Sequence, residues 1–393
     1  MGGERACAEP ANGAKDVVGC FRPAEWLRGL FVSTEGGERR PWAASLAWLA
    51  VWARRALTIP GYLAIAAISW AGLPAWLAFA LLADLAAGRA NRLARSRTVL
   101  MFALYLGCEV IGIAAALGLG LVTGGGRAVG ARRYLAANAA IQRWWTSALF
   151  SAAVRVFSMK VEAEGLELAR RGPCLFFVRH TSTADTVLTA AIVTNPNRLV
   201  LRYVLKRELL WDPCLDLVGR RLPNAFVSRG TSRGSDEVRA VSGLAEGLDT
   251  TSAVLIYPEG TRFSEPKRAR AVAALHARGQ HALAAKAERF RHVLPPNLGG
   301  PLALLDRSGG ADVVFVEHTG FEGAASLASL WRGGLIGRTV RVRVRRFPSG
   351  EIPREDREGW LFARWAEVED WVAGQLGESA EPPRAAAVER EEP

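Results

Sequence analysis

The chain has 393 residues, half of them hydrophobic, and carries 50 basic against 38 acidic side chains for a formal net charge of +12. That length holds a catalytic domain and a further region, and the hydrophobic share is slightly high for a soluble protein. The basic residues are nearly all Arg, with Lys only at 15, 160, 206, 267 and 286. This balance favours anionic partners such as a phospholipid surface or a phosphorylated substrate; no long basic run with interleaved aromatics is present, which argues against nucleic acid. Cys7, Cys20, Cys108, Cys174 and Cys214 are odd in number and widely spaced. They fit neither a zinc site nor a disulfide framework and point to a reducing compartment.

Residues 1–40 are rich in Gly, Pro and charge, lack periodicity and are expected to be disordered. No apolar stretch follows a basic start there, so they do not read as a secretory signal. Residues 41–135 are expected to form a membrane-embedded helical region. Ala56–Leu85 is almost wholly apolar but contains Pro60 and Pro74, and Val99–Val122 is apolar apart from Glu109. Each run is long enough to span a bilayer. Arg89, Arg92, Arg95 and Arg97 precede the second run, and Arg127, Arg132 and Arg133 follow it. Positive charge on both sides conflicts with a simple hairpin, and one solution is a re-entrant or interfacial segment broken at Pro74. Glu109 in such surroundings needs a partner. Over 138–158, Ile141, Trp144, Trp145, Leu149 and Val156 share one helical face, suited either to lipid headgroups or to packing on the protein's own domain.

Residues 136–376 are predicted to be an α/β domain, a mixed sheet flanked by helices. Strand-like runs at 174–178, 199–204, 225–228, 253–257, 312–316 and 339–345 alternate with helix-like segments at 184–194, 235–248, 267–291 and 354–376. Val340–Arg345 alternates strictly, as an edge or half-exposed strand does. Residues 377–393 form a charged tail expected to be disordered.

Two blocks directly follow buried strand-like runs: His180-Thr-Ser-Thr-Ala-Asp185 and Tyr257-Pro-Glu-Gly-Thr-Arg262. Both fall where strands end, the edge at which open α/β sheets bind ligands. A His five residues ahead of an Asp can form a base with its orienting carboxylate, because five residues span a loop into a first helical turn. Backbone N–H groups in that turn are candidates for holding an oxyanion. In the second block, Gly260 lets the backbone approach an anion, Arg262 can grip a phosphate with two donors, and Glu259 is expected to orient Arg262 or a substrate hydroxyl. Lys206 and Arg229 follow further strands; Arg207 reads as a solvated strand end. Cys174 reads as core packing. The pattern implies an enzyme that activates a hydroxyl on a phosphorylated acceptor, with no metal ligand set and no cofactor.

These blocks resemble the glycerophospholipid acyltransferase family, typified by 1-acylglycerol-3-phosphate acyltransferase. Lys206-Arg-Glu-Leu209 with Pro213 and Gly219, followed by Asn224-Ala-Phe-Val-Ser-Arg229, resembles the family's second motif, and Val293-Leu-Pro-Pro296 its apolar-Pro fourth motif. Phe290-Arg-His292 and Gly299-Gly300 are similar to the branch containing lysophosphatidylinositol and lysocardiolipin acyltransferases. The resemblance covers roughly 160–345. It implies transfer of a fatty acyl group from acyl-CoA or acyl carrier protein to a lysophospholipid hydroxyl, most simply that of lysophosphatidic acid. His180 would be the general base and Asp185 its partner, while Lys206, Arg229, Glu259, Gly260, Thr261 and Arg262 would bind the acceptor. Membrane phospholipid is the implied partner, at a bacterial inner membrane with the catalytic domain facing the cytoplasm. Two positions depart from the family: Arg179, which either binds an additional anionic group or caps its strand, and Val314-Phe-Val316, which runs into Glu317-His318 instead of Pro.

The rival is a serine hydrolase. Gly230-Thr-Ser-Arg-Gly234 satisfies G-x-S-x-G between a strand and a helix, with Ser232 as nucleophile, His318 as base and Asp306 or Asp312 as the acid. A non-enzymatic membrane scaffold would need the apolar runs and basic surface but neither polar block.

Overall fold

The computed structural model describes residues 41–88, 92–228, 235–324 and 326–377. The segments expected to be disordered, 1–40 and 378–393, lie outside the described residues, as do Arg89, Arg229 and Ser232.

Two helices, α1 (Pro41–Ala71) and α2 (Leu73–Ala86), meet at a 65° bend. Gly72 sits at the break, where a Cβ would lie 2.5 Å from the Trp76 indole nitrogen. Pro74 then opens α2 in the first turn, the position where its missing N–H costs nothing. The expected interruption at Pro74 is therefore a break between two helices. The next helix, α3 (Ala94–Val122), is long and apolar enough to cross a membrane, and the bent pair passes the same test only if taken as one span. Leu57, Ile68, Phe79, Leu82 and Leu121 on these helices are exposed.

The arginines that open α3 are tied to the protein. Buried Asp84 accepts the backbone N–H groups of Arg95 and Ser96, both at 3.1 Å, and so caps α3 from the preceding helix. Arg97 donates to the Val156 carbonyl and, at 2.8 Å, to Ser158 Oγ, at the end of α4 (Ala131–Val156). Neither is a freely hydrated charge. Glu109 finds its partner in Trp145 Nε1, 2.8 Å away on α4. Trp145, Leu149 and Phe150 are buried while Trp144 is 40% exposed, so α4 packs on the protein along most of its apolar face. A cluster of Ile113, Trp145, Leu149, Cys214, Leu217 and Leu222 joins α3 and α4 to the α/β domain.

That domain is a seven-stranded sheet: β1 (Lys160–Glu164), β2 (Cys174–Val178), β3 (Val200–Lys206), β4 (Ala225–Val227), β5 (Ser252–Ile256), β6 (Asp312–Thr319) and β7 (Thr339–Phe347). The order is β1-β7-β6-β2-β5-β3-β4, parallel except for the β6–β7 pair, so the sheet is mixed. β2 and β5 are buried at every residue. Leu175 and Phe177 pack on one side with α8 (Gly299–Arg307) and α10 (Arg357–Leu376), while Cys174, Phe176 and Val178 pack on the other with Phe150, Leu188 and Val193. On the first side run α5 (Ser235–Gly243), α6 (Glu265–Ala277) and α7 (His281–Glu288), while the short α9 (Leu327–Trp331) lies on the second, where Leu330 packs. The strand β7, read as edge or half-exposed, is half-exposed and lies second in the sheet: its valines are buried and Arg341, Arg343 and Arg345 are not. The true edge strand β1 is only five residues long, and its alternating Val161 and Ala163 are exposed and mark no buried face, which is why the sequence does not reveal it. The segment expected as one helix over 184–194 is instead a 3₁₀ turn at Ala184–Val187 and a π-turn at Ala190–Thr194.

Candidate active site

Five strands present their carboxyl ends on one edge of the sheet, because β6, β2, β5, β3 and β4 are mutually parallel. His180 lies just past β2, the 257–262 turn just past β5, and Lys206 ends β3.

Asp185 is fully buried and its two oxygens have different duties. Oδ1 lies 2.9 Å from His180 Nδ1, while Oδ2 accepts the backbone N–H groups of Thr181 at 2.6 Å and Ser182 at 2.8 Å. The side chain thus pulls the chain back on itself, which forces the tight 3₁₀ turn where a regular helix was expected. Burial alone would raise this carboxyl, but the His180 contact, the nearby His318 and the Ser182 N–H hold it below the ordinary carboxylate range. An Asp that stays ionised beside Nδ1 fixes the proton there and leaves Nε2 as the basic nitrogen. One expectation fails here: the Thr181 and Ser182 N–H groups point inward to Asp185 and are not available to an oxyanion.

The second block packs directly on the first. The Tyr257 ring lies 4.3 Å from the His180 ring, tilted by 33°. Phe263 N–H donates to the His180 carbonyl at 3.2 Å, and Arg262 Nη1 donates to Thr183 Oγ1 at 3.1 Å. Gly260 has φ +65, a left-handed conformation that a side chain would strain. Lys267, in the first turn of α6, donates to Thr261 Oγ1 at 3.1 Å and to the Arg262 carbonyl at 2.9 Å. Two cations therefore flank this turn.

Glu259 corrects the sequence reading. It was expected to face Arg262 or substrate, but it is only 6% exposed, and its oxygens accept the backbone N–H groups of His180 at 2.8 Å and Leu294 at 3.0 Å. It braces the base from inside. Burial pushes its carboxyl up to about 8, against the pull of those two N–H groups and Arg179. Behind it, the Val293–Pro296 block is a wall: Glu369 on α10 accepts Arg291, His292 and Val293 N–H at 2.7, 2.9 and 3.0 Å, and Trp365 Nε1 donates to the Leu294 carbonyl at 2.9 Å.

Arg179 takes the second of its two readings, a cap on its strand. It is 2% exposed and donates to the carbonyls of His318 at 2.5 Å and His292 at 3.0 Å and to Glu322 at 2.8 Å, so it is a buried strap with no reach to a substrate anion. Lys206 stands at the sheet edge, paired with Glu208 at 3.0 Å. Arg229 lies outside the described residues.

The hydrolase reading loses its partners. His318 is fully buried. Asp312 sits at the opposite end of the same strand, about 20 Å away at ~3.3 Å per residue, bound to Arg346. Asp306 pairs with Arg357 on the far side of the domain. Neither carboxylate meets His318. Among the described residues no three His, Cys, Asp or Glu side chains converge as metal ligands. Cys174 is buried in β2, as core packing requires.

Residues 160–297 match the family model described as Acyltransferase. Residues 160–297 thus carry an acyltransferase domain. The chain is 22% identical over 222 residues to the mouse 1-acyl-sn-glycerol-3-phosphate acyltransferase epsilon, covering 53% of this chain and 60% of that protein, so it spans about three fifths of the relative's length. The crystal structure of the 1-acyl-sn-glycerophosphate acyltransferase PlsC from Thermotoga maritima is similar with a TM-score of 0.47 and 15% identity, over 73% of this chain and all of that one. Within this acyltransferase domain, sequence reasoning missed Lys267, whose signal was its place in a helix start five residues after Arg262, and the contact between Tyr257 and His180. It also misassigned His318, which lies beyond the matched segment.

Proposed function

We propose that the protein transfers a fatty acyl group from an acyl thioester, acyl-CoA or acyl carrier protein, to the free hydroxyl of lysophosphatidic acid, giving phosphatidic acid. The observation that carries this reading is the 2.9 Å contact of His180 Nδ1 with a buried Asp185, rimmed by Arg262 on the adjoining loop. A hydroxyl is a poor nucleophile at neutral pH, and a neutral imidazole nitrogen takes its proton as the C–O bond forms. Asp185 stabilises the imidazolium. The tetrahedral adduct then expels the thiolate, which recovers the proton from His180, so ester forms and thioester breaks with no covalent enzyme intermediate.

Arg262 and Lys267 are the cations suited to the acceptor phosphate, with Lys206 at the same sheet edge. The mouse relative's name specifies the same acceptor for that protein, which supports the choice for this chain. The exposed apolar faces of α1, α2 and α3 support attachment to a bilayer, which also supplies both lipids.

The test is to supply the full-length, detergent-solubilised protein with labelled acyl-CoA or acyl carrier protein and a panel of lysophospholipids. Label in phosphatidic acid is the expected result. Release of free fatty acid with no ester product would overturn it in favour of hydrolysis.

A further inference from the structure

His318 is a buried imidazole that the proposed reaction does not use. It follows β6 register into the site: Val178 pairs with Val316, so His318 falls level with His180 across the strands. The two strand ends hold each other reciprocally. Arg179 Nη1 donates to the His318 carbonyl at 2.5 Å, and His318 Nε2 lies 2.8 Å from the Arg179 carbonyl, one residue before the base. The same Nε2 is 3.7 Å from Asp185 Oδ2, on the side away from His180.

The proton position follows from these contacts. A carbonyl can only accept, so Nε2 carries the hydrogen. Nδ1 is buried with no hydrogen-bond partner, and the ring meets that of Phe321 edge-on with centroids 5.6 Å apart. A donor there would be left unsatisfied, whereas a lone pair is cheaper to bury, so the ring is neutral with the Nε2–H tautomer. Burial, the largest influence, holds it neutral despite the pull of Asp185.

We propose that His318 is a positioning residue for the acyl-transfer base: its Nε2–H clamps the backbone that presents His180 and turns the positive end of the imidazole toward Asp185. The Asp185 carboxylate is thereby flanked by two imidazoles, one that works and one that holds. This rests on the acyltransferase reading for its chemistry but not for its geometry. The charged and titratable groups facing the pair are Asp185, Arg179, Glu259, Tyr257 and Glu322, and Glu317 points to the opposite face, toward Arg343 and Arg345.

The consequence has a sign. The Nε2–H dipole offsets part of the Asp185 charge felt by His180. Removing it leaves the carboxylate more strongly attractive to a proton, so His180 holds its proton to higher pH. His318→Leu is expected to lower kcat about ten-fold with the acceptor KM unchanged, and to move the acid limb of the kcat/KM profile to higher pH. His318→Gln places an amide N–H where Nε2–H stood and is expected to restore both. His318→Asn is too short to reach the Arg179 carbonyl and should behave like Leu, which keeps the comparison decisive if the Leu variant fails to fold. The ¹⁵N imidazole signals of His180 should titrate at higher pH in the Leu or Asn variant than in wild type, a readout needing no substrate. Leu and Asn variants with wild-type kcat, acid limb and His180 titration would overturn the positioning role. His180→Ala that kept full transfer activity would instead overturn the acyl-transfer mechanism, so the two failures are distinguishable.

Discussion

Replacing Asp185 by Asn changes one atom and should cost nearly all turnover. Asp185 Oδ2 receives two backbone N–H groups, from Thr181 and Ser182, and the Thr181 hydroxyl at 3.2 Å, while Oδ1 faces only His180 Nδ1. An Asn has one acceptor. Turning its NH2 toward the turn would set it against two fixed donors, so the oxygen stays there and the NH2 faces His180 Nδ1. That nitrogen must then accept, the ring proton moves to Nε2, and the base is blocked. Reversing a tautomer in a comparable dyad costs about ten-thousand-fold in kcat, or ~5 kcal/mol of transition-state stabilisation. The fold should lose much less, about 1–3 kcal/mol for one weakened charged hydrogen bond, because the turn contacts persist. Asp185→Ala is the control: it strands the Thr181 and Ser182 N–H groups and should lower Tm further than Asn at a similar rate loss. The assay is steady-state acyl transfer beside thermal unfolding of the same preparations. An Asn variant within ten-fold of wild-type kcat at unchanged Tm would refute the reasoning.

Arg262→Lys should raise the KM for lysophosphatidic acid about ten-fold with kcat little changed, since an ammonium cannot reproduce a two-donor grip; an unchanged KM would count against a phosphate role. Glu259→Gln supplies one acceptor where His180 and Leu294 N–H need two, so kcat and Tm should fall while acceptor KM stays; a selective rise in KM would restore Glu259 as a substrate ligand. Because burial lowers the folded-state proton affinity of His318, the unfolded chain binds that proton more readily. Stability should therefore be lost as pH falls below about 6.5, and a Tm–pH scan of His318→Gln should show a shallower acid decline than wild type.

The sequence revealed β2 and β5 because both are continuous apolar runs buried on each face. It also revealed where chemistry would lie, since a buried strand that runs straight into a polar block delivers those side chains to the ligand-binding edge of the sheet. What it could not reveal was direction. Glu259 and Arg262 are three residues apart, yet one faces the interior and the other the rim, because a left-handed turn at Gly260 separates them. Arg179 reads either as an anion binder or as a strand cap, and only the neighbouring β6, whose His318 carbonyl it holds, decides between them. β1 is too short for its single Val–Ala alternation to stand out, and its place comes from pairing with β7, some 180 residues later in the chain. Trp145 and Glu109 meet across α3 and α4, a contact that neither apolar run announces alone.

The central claim is that His180 takes the proton from the acceptor hydroxyl. The most direct measurement compares wild type with His180→Ala, both full-length and folded, for transfer of labelled acyl groups from the thioester to lysophosphatidic acid. The account predicts transfer by wild type and loss of at least about a hundred-fold in the variant, the lower end of what a positioned base contributes. Equal transfer by both proteins would contradict it.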